Sequence, residues 1–147
     1  MQPDLAALGP ALGRIPSGLA IATAQDGDRR TGFLASWFQQ LSFEPPLVGV
    51  CVKAGRPIVR LLEASGWFAL NLLAEGDTAS LKRYGRGFEP DVDPWAGDPG
   101  ALLPGMQAPV LKDGYAYLLL VGRAVEGALR RPEAKPFIHV RKDGFGY

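Results

Sequence analysis

The alternation of hydrophobic and polar positions predicts a series of short strands in the first half of the chain. Residues 18–24 have β character, and the Asp-Gly pair within 25–28 predicts a tight hairpin into a second strand over 30–36. The wholly apolar segment 47–52 and the segment 67–73 predict two further buried strands. The first half of the chain therefore indicates a fold with a substantial β-sheet.

Three segments predict helices between these strands. Residues 4–12 place three leucines on one helical face. Pro57 suits the first turn of a second helix, and the Ser-Gly pair 65–66 ends it. Asp77 is a suitable N-cap for a third helix that runs to Tyr84. Strands and helices do not alternate regularly, which disfavours a doubly wound sheet.

The second half of the chain is punctuated more heavily. Residues 87–109 hold five prolines and four glycines without any period, which predicts a long surface loop, for which Phe88 and Trp95 are the expected anchors. Residues 115–125 predict one long strand, and 136–141 predict a last short strand. Six or seven short strands with two or three helices favour a mainly β fold, a closed or half-closed antiparallel barrel with helices on its rim. No linker divides the chain, so we expect a single domain over residues 1–147.

Composition narrows the class of protein. Of the 147 residues, 47% are hydrophobic and 21% are charged, which is typical of a globular domain. A net charge of +1 is poorly suited to binding nucleic acid or an anionic membrane, and we expect neither partner. The longest apolar runs are too short to cross a bilayer, and no signal peptide is recognised. One cysteine and no internal disulfide suit a reducing compartment, so we expect a cytoplasmic protein.

The inventory of reactive side chains excludes several enzyme classes. His139 is the one histidine and Cys51 the one cysteine, so no metal site is expected. The sequence has no Gly-x-Ser-x-Gly elbow, no P-loop and no Rossmann glycine turn. A Cys51–His139 dyad is conceivable, but Cys51 lies within an apolar run. We therefore expect a buried, structural thiol at that position.

The segment 53–57 is a candidate anion site. Lys53, Gly55, Arg56 and Pro57 lie at a predicted junction between a strand and a helix. Such a junction offers backbone N–H groups and the positive end of the helix dipole, and Gly55 allows an anion to approach the backbone closely. The pattern fits a phosphate site. It equally fits a β-turn with two solvated cations before an ordinary helix, and the sequence leaves both interpretations open.

Four segments together resemble a known family. Residues 13–23, 32–42, 44–48 and 66–73 are similar in order and spacing to the flavin reductase-like, FMN-binding split-barrel family. The resemblance covers about residues 5–140. The Leu-Ala-Ser-Trp version of the second segment, with the His-Val-Arg-Lys run near the end and a final tyrosine, is most similar to the C-terminal reductase module of oxygen-reducing diflavin proteins.

The resemblance implies a flavin site. The cofactor-binding residues that it implies are Ala35, Ser36, Trp37, Phe38, Gln39, Leu41, Ser42, Lys53, Gly55, Arg56, Pro57 and Tyr84. By analogy with the family, the first four line the isoalloxazine and the next three follow the ribityl chain. The residues from 53 to 57 hold the phosphate, and Tyr84 flanks the ring. His139 would lie at the edge of the cleft as a nicotinamide contact.

The resemblance also implies an activity and an assembly. It implies a split β-barrel with Greek-key connections and a homodimer in which two subunits share each flavin cleft. The cofactor would be FMN, with FAD or riboflavin as alternatives, and NAD(P)H would be the co-substrate. Hydride passes from nicotinamide to flavin N5 without a side-chain base, so no catalytic residue is assigned with certainty. A monooxygenase or another protein that exchanges electrons with the flavin would be the partner.

One departure from the family bears on the nicotinamide. Family members place a Gly-Asp-His tripeptide on a hairpin between two late strands, whereas residues 115–118 here run almost directly into 119–125. This departure predicts that FMN binds well while NADH binds weakly, with a KM toward or above about 1 mM. Two alternatives stay open. One is an electron-transfer flavoprotein without its own NAD(P)H site, and the other is a non-redox module that binds a phosphorylated cofactor.

Overall fold

The computed structural model describes residues 4–121, 123–129, 133 and 138–139, and these form a mainly β structure with flanking helices. The helices are α1 (Leu5–Leu12), α2 (Pro57–Ser65) and α3 (Thr78–Tyr84), and the strands are β1 (Ser17–Gly18), β2 (Ala20–Asp26), β3 (Arg29–Ala35), β4 (Phe38–Phe43), β5 (Pro46–Val50), β6 (Phe68–Leu72), β7 (Ala116–Val121), β8 (Arg123–Leu129) and β9 (Ile138–His139). The predicted class is confirmed. The nine strands of the described part exceed the six or seven predicted from the sequence.

The largest sheet has five antiparallel strands in the order β3-β2-β6-β7-β8. Its inner strand β2 is covered on both faces, so its residues are buried without alternation. Ala20, Ala22 and Ala24 belong to the cluster that includes Ile58 of α2, whereas Ile21 packs in the cluster of Trp95. Small side chains on one face of β2 let α2 lie close against the sheet. This packing fixes the start of α2 beside β3.

The second sheet is a hairpin of β4 and β5, which pair only with each other among the described strands. Sequence analysis did not predict β4, because residues 39–42 lack an apolar alternation. The register shifts between Gln40 and Ser42, and the connecting turn holds a cis peptide bond between Glu44 and Pro45. β5 lies beside β8 of the large sheet. Closure of these sheets into one barrel stays a prediction.

The prediction of a single strand over residues 115–125 is wrong. The chain forms two antiparallel strands there, with Val121 opposite Arg123 and Ala116 opposite Leu129. Gly122 and Arg123 interrupt the apolar run at the reversal, and this turn signal was overlooked between two apolar stretches. The last described strand, β9, pairs with β1, so that His139 lies opposite Ser17.

The predicted helix boundaries are confirmed by their caps. Asp4 accepts a hydrogen bond from the Ala6 N–H at 3.0 Å at the start of α1. Gly66 ends α2 in the left-handed region at φ 71°. Asp77 caps α3 by accepting the Ser80 N–H at 3.0 Å. Each signal is local, which is why the sequence alone predicts it.

The loop over residues 87–110 is anchored to the sheet rather than spread over the surface. Trp95 is fully buried in the cluster that contains Ile21 and Tyr84. Asn71 of β6 is also fully buried, and its amide donates to the carbonyls of Ile21 and Pro109 and accepts the Leu111 N–H at 2.7 Å. The end of the loop is therefore fixed to β2 and β6 by hydrogen bonds in the core.

Cys51 differs from its prediction, because it is exposed rather than buried. Strand β5 ends at Val50, two residues earlier than the apolar run suggests, and Cys51 begins the connection to α2. Its N–H donates to the Trp37 carbonyl at 2.8 Å, which ties this connection to the residues before β4. Among the described helices, none has the length and apolar character needed to span a membrane.

Candidate functional site

A cleft of about 420 Å³ lies where β3, the start of α2 and the beginning of the long loop meet. We refer to it as the basic cleft. It is lined by residues 31–33 of β3, by residues 53–58 and by residues 86–90. Four of the predicted phosphate-binding residues thus come together here, namely Lys53, Gly55, Arg56 and Pro57.

Arg56 is held in the basic cleft by contacts on two sides. Its guanidinium carbon lies 5.0 Å from the centre of the Phe33 ring, which is within the range of a cation–π interaction. On the other side is Gly87, whose φ of 76° is in the left-handed region. A Cβ atom at Gly87 would lie 3.2 Å from Arg56 Nη1. The glycine therefore leaves the room that the guanidinium needs above Phe33.

The backbone at the start of α2 faces the cleft without a side-chain cap. Arg56 is the N-cap residue in an extended conformation, and its side chain makes no capping hydrogen bond. Gly55 precedes it at φ 80°, a conformation that glycine adopts without strain. The Arg56 N–H closes this turn onto the Lys53 carbonyl at 3.3 Å. The helix therefore presents the positive end of its dipole next to Arg56 and Lys53.

Arg86 adds a third cation to the lining of the cleft. It lies between Gly85 and Gly87, directly after α3. A helix start with three cations around it suits a phosphate monoester, which carries about −1.5 to −2 charges at neutral pH. Charge-assisted hydrogen bonds of this kind are about twice as strong as neutral ones.

The loop that forms the far wall of the cleft is fixed by an ion pair. Arg30 Nε donates to both carboxylate oxygens of Asp93 at 2.9 Å, and Asp93 Oδ1 accepts the Trp95 N–H at 2.8 Å. Burial raises the pKa of the Asp93 carboxyl, but the hydrogen bonds from Arg30 and Trp95 and the Arg30 charge outweigh it and hold that pKa below its ordinary value. Arg83 donates to the Pro94 carbonyl as a second tether. The wall is therefore held in place by contacts within the chain itself.

The residues predicted to contact the isoalloxazine and the ribityl chain lie at the C-terminal end of β3 and in the segment that follows it. Ala35 and Ser36 are buried at the end of β3, with 2% and 1% of their surface exposed. Trp37 is 45% exposed and Leu41 is 67% exposed. The remaining predicted contacts lie on β4, where Phe38 and Ser42 are half-buried and Gln39 is exposed. None of residues 35–42 lines the basic cleft, so their role as ring contacts stays a prediction.

Tyr84 lies behind the cleft rather than in its lining. Its ring is 97% buried, and its hydroxyl accepts the Trp95 Nε1–H at 3.0 Å. Phe88, which does line the cleft, packs edge-on against Tyr84 with ring centres 5.6 Å apart. Burial raises the pKa of the Tyr84 phenol, reinforced by Asp77 and opposed by Arg83 and the Trp95 hydrogen bond. In this structure Tyr84 supports the wall through Phe88.

Two further sets of residues complete the account of the predictions. The side chain of His139 lies outside the described residues, and its backbone alone is placed, opposite Ser17. Sequence analysis missed the cleft residues Thr31, Phe33 and Arg86. Phe33 could have been suspected from its place in the segment 32–42. Apart from its position after a helix stop, nothing in the sequence indicated that Arg86 belongs to the cleft. The fold alone brings it into the same lining as Arg56.

A family model and several curated proteins match this chain. The family model described as a flavin reductase like domain matches residues 12–136. "Diflavin flavoprotein A 1" of Synechocystis is 34% identical over 152 residues, a match that covers 93% of this chain and 26% of that protein. The chain thus spans about a quarter of the length of the curated relatives it matches.

Solved structures share the fold. An NADH:FAD oxidoreductase of Streptomyces globisporus C-1027 superposes with a TM-score of 0.76 at 21% identity, covering 89% of this chain and 86% of that one. The styrene monooxygenase flavin reductase of Pseudomonas putida S12 superposes with a TM-score of 0.69 at 20% identity, covering 88% and 90%. At these identities the likeness shows the fold alone.

Proposed function

This chain belongs to the flavin reductase-like domain family, and we propose on that premise that it is an FMN-binding oxidoreductase that reduces its flavin with NAD(P)H. The observation that carries the proposal is the basic cleft. An uncapped helix start, a left-handed glycine and three cations converge there, as a flavin phosphate requires. The packing of Arg56 on Phe33 counts against the alternative interpretation of residues 53–57, a β-turn with two solvated cations.

The proposed binding residues lie at the two ends of β3, where one end would bind the phosphate and the other the ring and the ribityl chain. Lys53, Arg56 and Arg86 would hold the phosphate in the basic cleft. The segment 35–42 would carry the ring and the ribityl chain, with the Ser36 hydroxyl and the backbone of 35–38 donating hydrogen bonds to the pyrimidine edge. A bound flavin supplies N5 as the hydride acceptor. The protein then contributes orientation and hydrogen bonding, and needs no side-chain base.

The nicotinamide side of the proposed site depends on the turn between β7 and β8. Val121 of β7 pairs directly with Arg123 of β8, so the late hairpin has no Gly-Asp-His segment. We expect NADH to bind weakly, with a KM toward or above about 1 mM. We also expect His139→Ala to slow flavin reduction in stopped flow without releasing FMN. Micromolar saturation by NADH or NADPH that His139→Ala leaves unchanged would contradict this placement of the nicotinamide.

The short hairpin also favours a second candidate function. The chain would then be an electron-transfer flavoprotein that receives electrons from a protein, such as another part of a larger flavoprotein or a monooxygenase system. Steady-state oxidation of NADH or NADPH by the FMN-loaded chain separates the two candidates. Turnover supports the reductase, and a flavin that only a protein donor reduces supports the electron carrier.

The assembly that we propose is a homodimer of single domains. Trp37, Leu41 and Phe43 are 45%, 67% and 87% exposed, and all three belong to β4 or directly precede it. Large apolar side chains grouped on one exposed strand are typical of a surface that another protein covers. A second copy would cover the segment 35–42, where the flavin ring is proposed to bind, with such a surface, as the family implies.

The decisive experiment measures flavin binding with and without the phosphate. A flavin absorption spectrum of the purified protein shows first whether a flavin is bound. Titrations then compare FMN with riboflavin for the parent and for Arg56→Ala, with Arg14→Ala as a control outside the cleft. We expect Arg56→Ala to weaken FMN by about 1.5–3 kcal/mol, roughly ten- to a hundredfold, while riboflavin binds both proteins almost equally. Equal losses for both ligands would remove Arg56 from the phosphate site.

A further inference from the structure

A second cavity, of about 320 Å³, lies between α2, strand β5 and the face of the large sheet that carries Ala22. We refer to it as the apolar chamber. Its described lining holds no polar side chain and consists of Ala22, Phe33, Val48, Val50, Val52, Ile58, Leu62, Gly66 and Phe68. Protein cores contain few voids larger than a water molecule, and binding pockets begin at about this size. The apolar chamber is therefore a candidate binding site.

The chamber exists because a small side chain lies between large ones. Ala22 of β2 is paired with Phe33 of β3, and Phe68 lines the same cavity from β6, on the other side of β2. Ile58 and Leu62, one helical turn apart on α2, line it from the helix. The alanine methyl group leaves the space between these side chains unfilled.

The inner end of the chamber is buried and the outer end reaches solvent. Ala22, Phe33 and Ile58 have 2%, 7% and 2% of their surface exposed. Val48 on β5 is half-buried, and Gly66 after the end of α2 is exposed. A small molecule can therefore enter between the end of α2 and β5.

The lining selects a neutral molecule that contains an aromatic ring. A charged group would lose its hydration here without gaining a partner from the described side chains. An engineered cavity of about 150 Å³ with a similar lining binds benzene, so the chamber is large enough for a substituted ring. Phe33 and Phe68 lie two strand spacings and two residues apart, or roughly 12 Å between their Cα atoms. A ring midway between them is within the range of about 4.5–7 Å at which aromatic rings attract each other.

Two residues connect the apolar chamber to the basic cleft, because Phe33 and Ile58 line both cavities. Phe33 carries the Arg56 guanidinium 5.0 Å from its ring centre, and Ile58 lies in the first turn of α2. A ring bound in the chamber would pack against Phe33 and restrict its movement. The surface on which Arg56 rests would then be ordered before a phosphate binds. Each ligand therefore favours the binding of the other.

We propose that the apolar chamber binds a neutral monocyclic aromatic molecule, and that this molecule raises the affinity of the basic cleft for a flavin that carries a phosphate. The binding site itself is independent of the proposed function. The effect on the flavin rests on that function, because it requires the phosphate to lie at Arg56.

The first test measures binding to the chamber with toluene as the probe. Isothermal titration calorimetry without flavin should give a Kd of about 1 mM or below for toluene, and no binding of benzoate, which adds a charge to the same ring. Val48→Phe fills the chamber from β5 and should weaken toluene at least tenfold. Ala22→Leu fills it from β2 and should do the same. The matched control is Val92→Phe, at an exposed valine outside both cavities, which should leave toluene binding unchanged.

The second test measures flavin binding with and without saturating toluene. In the parent, toluene should tighten FMN about two- to fivefold, the range set by the cation–π interaction of Arg56, and leave riboflavin unchanged. In Val48→Phe, toluene should have no effect on FMN. Unchanged circular dichroism and FMN binding in that variant would show that it folds.

The remaining outcomes contradict the inference at different points. Absence of toluene binding, or equal binding by the parent and both filled variants, would show that the chamber is not a site. Binding that disappears as the protein concentration rises would mean that a second copy occupies the chamber instead. An equal effect of toluene on FMN and riboflavin would contradict the connection through Phe33 and Arg56. Toluene binding by a chain that binds no flavin would remove the proposed function and leave the chamber as a site.

Discussion

The two ends of strand β3 differ in how completely one chain builds them. Around Thr31 and Phe33, the start of α2 and the tethered loop surround a cleft, and an ion pair between Arg30 and Asp93 fixes its far wall. Beyond Ala35 the chain continues into a hairpin whose outer side chains are exposed, up to 87% at Phe43. The proposed phosphate end of the site is thus complete within one chain, whereas the ring end lacks a covering surface.

The difference has a structural cause. The loop beside the phosphate end is attached by buried polar groups, with Asn71 fastening its last residues and Trp95 filling the space beneath it. Strands β4 and β5 pair with each other alone among the described strands. A two-stranded hairpin is only marginally stable by itself in water, so this one depends on what packs against it. The comparison leads to four predictions, from the largest expected effect to the smallest.

Asn71→Leu should cause the largest loss of stability, because it removes the attachment of the loop. The substitution leaves the buried Leu111 N–H without its acceptor and removes the amide's hydrogen bonds to the carbonyls of Ile21 and Pro109, of which the Pro109 carbonyl keeps the Thr23 hydroxyl as a donor. Each buried polar group left unsatisfied costs about 1–3 kcal/mol, so we expect the free energy of unfolding to fall by about 2–4 kcal/mol. Denaturant unfolding monitored by tryptophan fluorescence measures it.

The matched control for Asn71 is another amide, on the hairpin. Gln40 is exposed, and its amide donates to the nearby Ser42 carbonyl at 3.2 Å. Gln40→Ala should change the free energy of unfolding by less than about 0.5 kcal/mol. A loss below about 1 kcal/mol for Asn71→Leu would mean that the loop is held mainly by Trp95.

Leu41→Asp should act on assembly rather than on the fold of the single chain. Leu41 is 67% exposed and lies over Gly49 of β5. A charge at the centre of an apolar interface should raise the dimer dissociation constant by roughly a hundredfold, or about 2.7 kcal/mol. Analytical ultracentrifugation across a concentration series measures that constant. The control is Leu8→Asp, at a leucine of α1 that is 41% exposed. Dissociation by Leu8→Asp alone would place the interface on α1.

The sequence predicted those features whose signals lie within a few residues of one another. Pro57 and Gly66 bound α2, and Asp77 caps α3, because capping depends on neighbouring backbone groups. The four residues predicted for a phosphate site within 53–57 are neighbours in sequence, and the structure brings them together in the basic cleft, while their role as phosphate contacts stays a prediction. Trp95 was expected to anchor the long loop and is fully buried beneath it. Local chemistry was sufficient for these predictions.

Features that depend on distant partners were missed. Strand β4 has no regular apolar alternation, since its register shifts between Gln40 and Ser42, and pairing with β5 alone defines it. The exposure of Cys51 depends on where β5 ends, which the continuous apolar run does not reveal. Arg86 reaches the cleft only because α3 and β3 are packed together. The reversal after Val121 was missed although Gly122 and Arg123 interrupt the apolar segment there.

Phe33→Leu tests whether the phosphate end is ordered by the packing of Arg56. The substitution keeps an apolar side chain but removes the aromatic face 5.0 Å from the guanidinium. We expect FMN binding to weaken about two- to fivefold, in line with a cation–π interaction of about 0.5–1 kcal/mol, while riboflavin binding stays unchanged. In the Arg56→Ala background, Phe33→Leu should have no further effect on FMN. A loss of the same size in that background would assign Phe33 a contact of its own with the flavin.

Acid should weaken the tether between Arg30 and Asp93, and this is the smallest expected effect. The hydrogen bonds from Arg30 and Trp95 hold the pKa of Asp93 below its ordinary value despite the opposing effect of burial. A carboxyl whose pKa is lower in the folded chain stabilises it above the unfolded pKa of about 3.9. That contribution is lost as the pH falls through the folded pKa.

Because the side chains of this pair are 23% and 29% exposed, the contribution should stay below about 1 kcal/mol. Unfolding of the parent and of Asp93→Asn, compared from about pH 7 down to pH 3, should give a difference that shrinks toward the acid end. High salt should reduce the difference at neutral pH as well. A difference that stays constant across this range would mean that the Asp93 carboxyl acts through its hydrogen bond to the Trp95 N–H and not through its charge.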